Sequence, residues 1–295
     1  MDGFASILHN RGACTHAFVG YKRAFARGSG RKVKLASRAM GAATRSRFGG
    51  LIVSLAGHTP LRRFVMSAVV DPQTGVFIGS GDMERDWDER ARRNARFFVA
   101  GFDWQSEGQF RQSGERDLDA IILKGVELPQ NAVALEIGCG LGRLLGPIGR
   151  RAHEAHGVDI SSEMVRQAAE ALRDQPNVHV HHTNGSLDFA DGTFDFCYSY
   201  TVFQHIAEKA AVLRYLREAA RVLKPGGVFR FQICLGDGSR RKHGGSWLGV
   251  VFSDEELRRE LSSCGLAVER FEIDDTPATR ELWDSVLVTC RRSAE

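Results

Sequence analysis

The stretch Ala134-Leu135-Glu136-Ile137-Gly138-Cys139-Gly140-Leu141-Gly142-Arg143 constrains this chain more than any other. An aliphatic run ends in a carboxylate and opens at once into three glycines at alternate positions. Such a run reads as a buried parallel strand feeding a tight turn and then a helix. Glycine is needed there because the chain must turn sharply and let a ligand lie against bare backbone. Open α/β sheets bind nucleoside-like groups at the carboxyl ends of their strands, so a ligand of that kind is expected at this turn.

The dinucleotide fingerprint is G-x-G-x-x-G, whose third glycine allows close helix–strand packing. Here the order is G-x-G-x-G followed by Arg143, so that third glycine is missing. Glu136, two residues ahead of the first glycine, is unfavourable for a pyrophosphate and suits an ammonium-bearing ligand. Downstream, His156-Gly157-Val158-Asp159-Ile160 reads as the end of a second strand. Asp159 is placed there to accept hydrogen bonds from both hydroxyls of a ribose.

Four blocks in order carry a wider likeness. They are Glu136–Arg143; Gly157-Val158-Asp159-Ile160-Ser161 with Met164 after it; Asp191–Tyr200 running into Val202-Phe203-Gln204-His205-Ile206; and Arg221-Val222-Leu223-Lys224-Pro225-Gly226-Gly227. Over roughly residues 84–292 they resemble the class I S-adenosylmethionine-dependent methyltransferases of the bacterial small-molecule type. The resemblance implies S-adenosylmethionine as cofactor and methyl transfer to an oxygen, nitrogen or carbon atom of a small molecule. It implies a Rossmann-like, doubly wound α/β fold: a mostly parallel seven-stranded sheet with helices on both faces and the last strand antiparallel.

Carried onto this sequence, the resemblance gives Glu136 the methionyl ammonium and Asp159 the ribose. Gly138, Cys139, Gly140, Gly142 and Arg143 form the cofactor turn, Ile160 joins the cofactor set after Asp159, and Met164 packs near the adenine or belongs to the core. Adenine recognition falls to the loop Thr183–Asp188, where Asn184, Gly185, Ser186 and Leu187 are the candidates. The register stays open there among Asn184, Ser186 and Asp188, with the Leu187 amide as a donor to a ring nitrogen. Ser199 and Tyr200 complete the cofactor set.

In-line displacement from a sulfonium needs orientation and desolvation, and a base only where the acceptor arrives protonated. His205 is the candidate base, since imidazole titrates near neutrality; its alternative is a structural histidine at a helix start. Tyr200, Gln204, Gln232 and Trp247 are candidates for the acceptor pocket, against the alternative of core packing. Tyr198-Ser199-Tyr200 has no acid where metal-dependent catechol-type relatives carry a ligand. The Asn/Asp-Pro-Pro-aromatic motif of many DNA amino-methyltransferases is also missing. No metal and no nucleic-acid substrate are therefore expected. His179, His181 and His182 cluster without acids or thiols at matching spacing, which argues against a metal site. The basic loop Gly236–Ser246 reads as a lid or as a solvated turn.

The net charge of +4 is unevenly spread: residues 1–70 hold twelve Lys/Arg against the single acid Asp2, so the remainder is acidic. Residues 1–83 lack periodicity and are read as a basic, poorly ordered extension or an overlong start, with the methyltransferase domain at 84–295. Their Arg-rich composition also resembles a transit peptide. The six cysteines form no C-x-x-C pair and fit a reducing, cytoplasmic setting. No apolar run reaches the ~18 residues that span a bilayer. The oligomeric state is left open.

Periodicity predicts helices over 84–100, 106–125, 144–152, 162–173 and 207–223, with Ser253-Asp254-Glu255-Glu256 opening another. Strands are expected at 132–137, 178–182, 194–198, 228–234, 266–273 and 285–290, besides the one ending at Asp159, and Pro225-Gly226-Gly227 as a helix-ending turn. Three rival functions remain: a catalytically silent protein on the same fold, an NAD-dependent oxidoreductase, and an RNA methyltransferase recruited by the basic tail.

Overall fold

The alternation of aliphatic strands and amphipathic helices resolves into one sheet in the computed structural model of the protein, which describes residues 82–100, 106–236, 249–273 and 285–294. Its strands are β1 (Val133–Ile137), β2 (Glu154–Asp159), β3 (Val178–His182), β4 (Phe194–Ser199), β5 (Leu223–Cys234), β6 (Leu266–Ile273) and β7 (Ser285–Arg292). They lie in the order β3-β2-β1-β4-β5-β7-β6. Strands β1 to β5 pair in parallel, and β7 runs antiparallel to both β5 and β6. The expected doubly wound sheet with a reversed last strand is the fold found.

Period-two alternation divides the core between the two faces. Leu135, Ile137 and Cys197 enter one cluster with Val212, Leu216 and Ala219 of helix α5 (Lys209–Val222) and Leu257 and Leu261 of α6 (Asp254–Ser263). Ala134, Phe196 and Tyr198 enter the other, with Leu118, Ile122, Leu145 and Ile148. Helices thus cover both faces. Of the remaining helices, α1 (Met83–Ala100) packs Ala91 and Ala95 on Met164 of α4 (Ser162–Leu172).

Serine side chains start three helices: Ser106 accepts from the Gln109 amide at α2 (Glu107–Asp117), Ser161 from Met164 at α4, and Ser253 from Glu256 at α6. Each such cap contributes about 1 kcal/mol. The helix ends depart from the periodicity where local chemistry intervenes. α1 breaks at Asn94, whose side chain accepts from the Phe97 amide and so recaps the second segment. α2 passes into a π-helical turn at Leu118–Ile122. α3 stops at Leu145–Gly149, shorter than expected, because Gly146 and Gly149 are weak helix formers and a Cβ on Gly149 would meet Val178 at 2.3 Å. Pro225-Gly226-Gly227 is not a turn outside the sheet. It bulges within β5, whose pairing jumps from Phe194↔Leu223 to Phe196↔Val228.

Several motif residues serve as staples. Asp195 accepts from the Val133 amide (2.9 Å) and from Lys224 (2.8 Å), tying the starts of β4 and β1 to β5. Arg221 pairs with Asp191 and Glu218 and also donates to the carbonyls of Leu187 and Phe189.

Candidate functional site

The strand order reverses between β1 and β4, and a cavity of about 340 Å³ opens at the carboxyl ends of β1, β2 and β4. This is the crevice where open α/β sheets take ligands. The glycine turn forms one wall. Gly138 has φ +78°, and a Cβ there would meet a Val202 methyl at 2.3 Å. No other residue type fits both the backbone and the contact. Gly142 faces away from the cavity and lets Leu172 of α4 approach to 2.5 Å from the same hypothetical atom.

Two carboxylates face the cavity from adjacent strands. Glu136 is 4% exposed and accepts a hydrogen bond from the Tyr198 hydroxyl at 3.0 Å. Burial pushes its pKa up to about 8, opposed by the Tyr198 bond and the Arg143 charge and reinforced by Asp159. Asp159 accepts from the amides of Gly140 (2.8 Å) and Ser161 (2.9 Å), one on each carboxylate oxygen. Burial raises its pKa as well, while these amides and His182 oppose the rise. Burial beside both carboxylates drives the Cys139 pKa well up, so it stands as a thiol rather than a nucleophilic thiolate.

Of the residues singled out in the sequence, the structure brings Glu136, Gly138, Cys139, Gly140, Arg143, Asp159, Ile160, Met164, Asn184, Gly185 and Tyr200 to the cavity lining. Others lie elsewhere. Ser199 is buried and donates to the Ile137 carbonyl at 2.9 Å, joining β4 to β1. Ser186 donates to Asn184 Oδ1 at 2.9 Å. The Leu187 amide, expected to serve a ring nitrogen, instead donates to the Glu218 carboxylate at 3.1 Å, and its side chain is buried. That expectation is corrected: the amide is already engaged within the fold. Gln232 lies behind the lining and accepts from the Thr201 amide at 3.0 Å.

His205 and Gln204 sit on a short 3₁₀ turn, Phe203–His205, and are not among the lining residues. His205 is 6% exposed, with the edge of Trp87 against it at a centroid distance of 5.4 Å. Trp87 and Ile206, its neighbours in space and in sequence, do line the cavity. Trp247 and the basic residues Arg240, Arg241, Lys242 and His243 lie outside the described residues. His156, His179 and His181 stack across β2 and β3 around Glu154. Among the described residues no group of three or more His, Cys, Asp or Glu is arranged to hold a metal ion.

Residues that sequence reasoning missed include Thr201, Val202 and Ile206 after β4 and a set from two helices. Met83, Trp87, Phe98 and Val99 of α1 and Ala211, Arg214 and Tyr215 of α5 close the cavity. α1 is fixed there by Asp88, which accepts from Ser161 Oγ (2.7 Å), Ser162 Oγ (3.2 Å) and the Glu163 amide (3.0 Å) at the start of α4. The signal was the apolar face of α1, which alone does not say what it covers. The arrangement can hold a cation beside Glu136, a diol beside Asp159, and a flat ring between the ends of β2, β3 and α5.

A sequence profile described as a methyltransferase domain matches residues 135–231, from β1 through β5. An uncharacterized 37.1 kDa protein in transposon TN4556 of Streptomyces fradiae is 34% identical over 119 residues, 38% of this chain and 33% of that protein. The demethylmenaquinone methyltransferase of Tropheryma whipplei strain Twist is 32% identical over 100 residues, 34% of this chain and 40% of that enzyme. The chain thus spans less than half the length of either curated relative. The crystal structure of the PH0226 protein from Pyrococcus horikoshii OT3 shares the fold, with a TM-score of 0.51 at 19% identity over 67% of this chain and 98% of that one.

Proposed function

We propose that the chain is a class I S-adenosylmethionine-dependent methyltransferase, and that residues 84–295 transfer a methyl group from S-adenosylmethionine to a small-molecule acceptor. One observation carries the reading: Glu136, the glycine turn and Asp159 line a single cavity at the switch point of the sheet. The fit is chemical as well as spatial. A buried carboxylate suits an ammonium, and glycine at 138 and 140 lets Val202 and Val99 close directly over the turn beside it.

In this proposal Glu136 holds the ammonium of the methionyl end and Asp159 accepts from the ribose hydroxyls. Ile160, Met164, Asn184 and Gly185 surround the adenine. Bound there, the cofactor supplies a sulfonium methyl carbon. Trp87, Phe98, Val99, Val202 and Ile206 exclude water and orient an apolar acceptor. His205 receives no proton in this scheme, since it is buried and is not among the lining residues. A small-molecule acceptor is consistent with the demethylmenaquinone acted on by the Tropheryma relative. We place the activity in the cytoplasm, supported by the free thiols of Cys139, Cys197, Cys234, Cys264 and Cys290.

Calorimetric titration of the full chain with S-adenosylmethionine, S-adenosylhomocysteine and NAD tests the reading. Micromolar binding of both adenosyl ligands, lost in Asp159→Ala, is expected. Binding of NAD alone overturns it.

A further inference from the structure

Thr201 is the one non-glycine residue with positive φ (+60°) among the described residues. It follows β4 directly and lines the cavity between Tyr200 and Val202. A β-branched side chain disfavours this left-handed conformation, which persists only where the surroundings impose it. Two hydrogen bonds do so. The Thr201 amide donates to Gln232 Oε1 at 3.0 Å, and its hydroxyl donates to the Tyr200 carbonyl at 2.7 Å.

We propose that Gln232 is a positioning residue: its amide oxygen latches Thr201 in the left-handed conformation and so fixes the wall Tyr200–Val202 against the glycine turn. The β4–β5 ladder ends at Ser199↔Phe231, and the next residue of β5 is Gln232. Its side chain, rather than the β5 backbone, takes the Thr201 amide where the ladder stops. Upstream, Ser199 pins the segment through the Ile137 carbonyl. Downstream, the Val202 methyls occupy the space that a Cβ on Gly138 would need. The latch joins these two anchors, and Gln232 acts on the cavity without touching it.

A glycine at position 201 would take the same backbone without assistance. Threonine makes the conformation depend on Gln232, and that dependence supplies the test. Amide hydrogen exchange is measured on the full chain without ligand for the parent, Gln232→Leu and Gln232→Leu/Thr201→Gly. In Gln232→Leu, exchange over residues 202–206 is expected to accelerate at least about tenfold, while β1 and β7 keep parental rates. The added glycine is expected to restore most of that protection. Affinity for S-adenosylmethionine should follow, weakened about tenfold by the single substitution and largely recovered in the double.

Parental exchange over 202–206 in Gln232→Leu overturns the latch. So does acceleration spread evenly over β1 and β7, or failure of the glycine to restore protection. Only the affinity arm rests on the proposed function. If the parent binds no S-adenosylmethionine, that reading falls while the exchange arm still decides the latch.

Discussion

Tyr198 donates its phenolic hydrogen to Glu136 across 3.0 Å, with both side chains buried between the sheet and the glycine turn. The bond joins the carboxyl end of β4 to that of β1 and leaves the carboxyl facing the cavity. It favours ionised Glu136, yet burial is the larger influence, and the pKa stands at about 8 instead of the ordinary 4.5. Without a cation beside it, the folded protein therefore holds this group as the neutral acid at pH 7.

Stability should therefore fall as pH rises. Between about 4.5 and 8 the unfolded chain has lost the Glu136 proton while the folded chain keeps it, so the unfolded state binds fewer protons. The contribution across that window is on the order of 4 kcal/mol. Glu136→Gln should flatten the profile, gaining on the parent most at pH 8.5. Urea midpoints at pH 5 and pH 8.5 check this. Equal slopes in the two proteins would show that Glu136 does not carry the dependence.

The same carboxyl should make cofactor binding proton-linked. At pH 6.5 an α-amino group is still protonated, and its approach favours ionised Glu136, which must then release its proton. Titration with S-adenosylmethionine in two buffers of different ionisation enthalpy should show release approaching one proton per ligand. Glu136→Gln should bind more weakly and release none. Equal heats in both buffers for the parent would reject the linkage.

Asp88 should matter out of proportion to its place on the first helix. Burial opposes its charge, but the Glu163 amide, Ser161, Arg92 and Ser162 together lower its pKa. Asp88→Ala leaves the Ser161 hydroxyl, itself buried, without its acceptor and removes the tie between α1 and α4. A loss of about 2 kcal/mol is expected by urea denaturation. Exchange should rise first in α1, because α1 is held to α4 by this contact and the small apolar cluster around Met164.

The sheet was legible because its signals are local. Aliphatic runs, the capping box at Ser253 and the glycine turn each act within a few residues, and all reappear at their positions. What stayed hidden depends on contacts distant in sequence. Nothing near Leu187 says that its amide meets Glu218, 31 residues away. Nothing near Gln232 says that it serves Thr201. Nothing near His205 says that it packs against Trp87 and stays outside the cavity lining. The bulge at Pro225-Gly226-Gly227 was misjudged because glycine and proline mark a break in the backbone without saying whether pairing resumes in the same strand.

Arg143 replaces the third fingerprint glycine, and its surroundings show what the exchange accomplishes. Its guanidinium is buried, donates to Asp117 at 2.6 Å and to Ser113 at 3.3 Å, and so ties the glycine turn to α2. α2 answers with Gly114, where a Cβ would sit 2.0 Å from the Arg143 carbonyl oxygen. Arg143→Met keeps the aliphatic stem but removes the buried partner of Asp117, leaving it only Arg116, which should cost about 2 kcal/mol. Arg143→Met/Asp117→Leu removes both charges and should recover most of the loss, since a buried ion pair and an apolar pair of similar volume are close in stability. A double-mutant cycle by urea denaturation decides it. A loss under about 1 kcal/mol for Arg143→Met would place the pair among surface bridges, and the turn would then owe its position to the backbone contact with Gly114 alone.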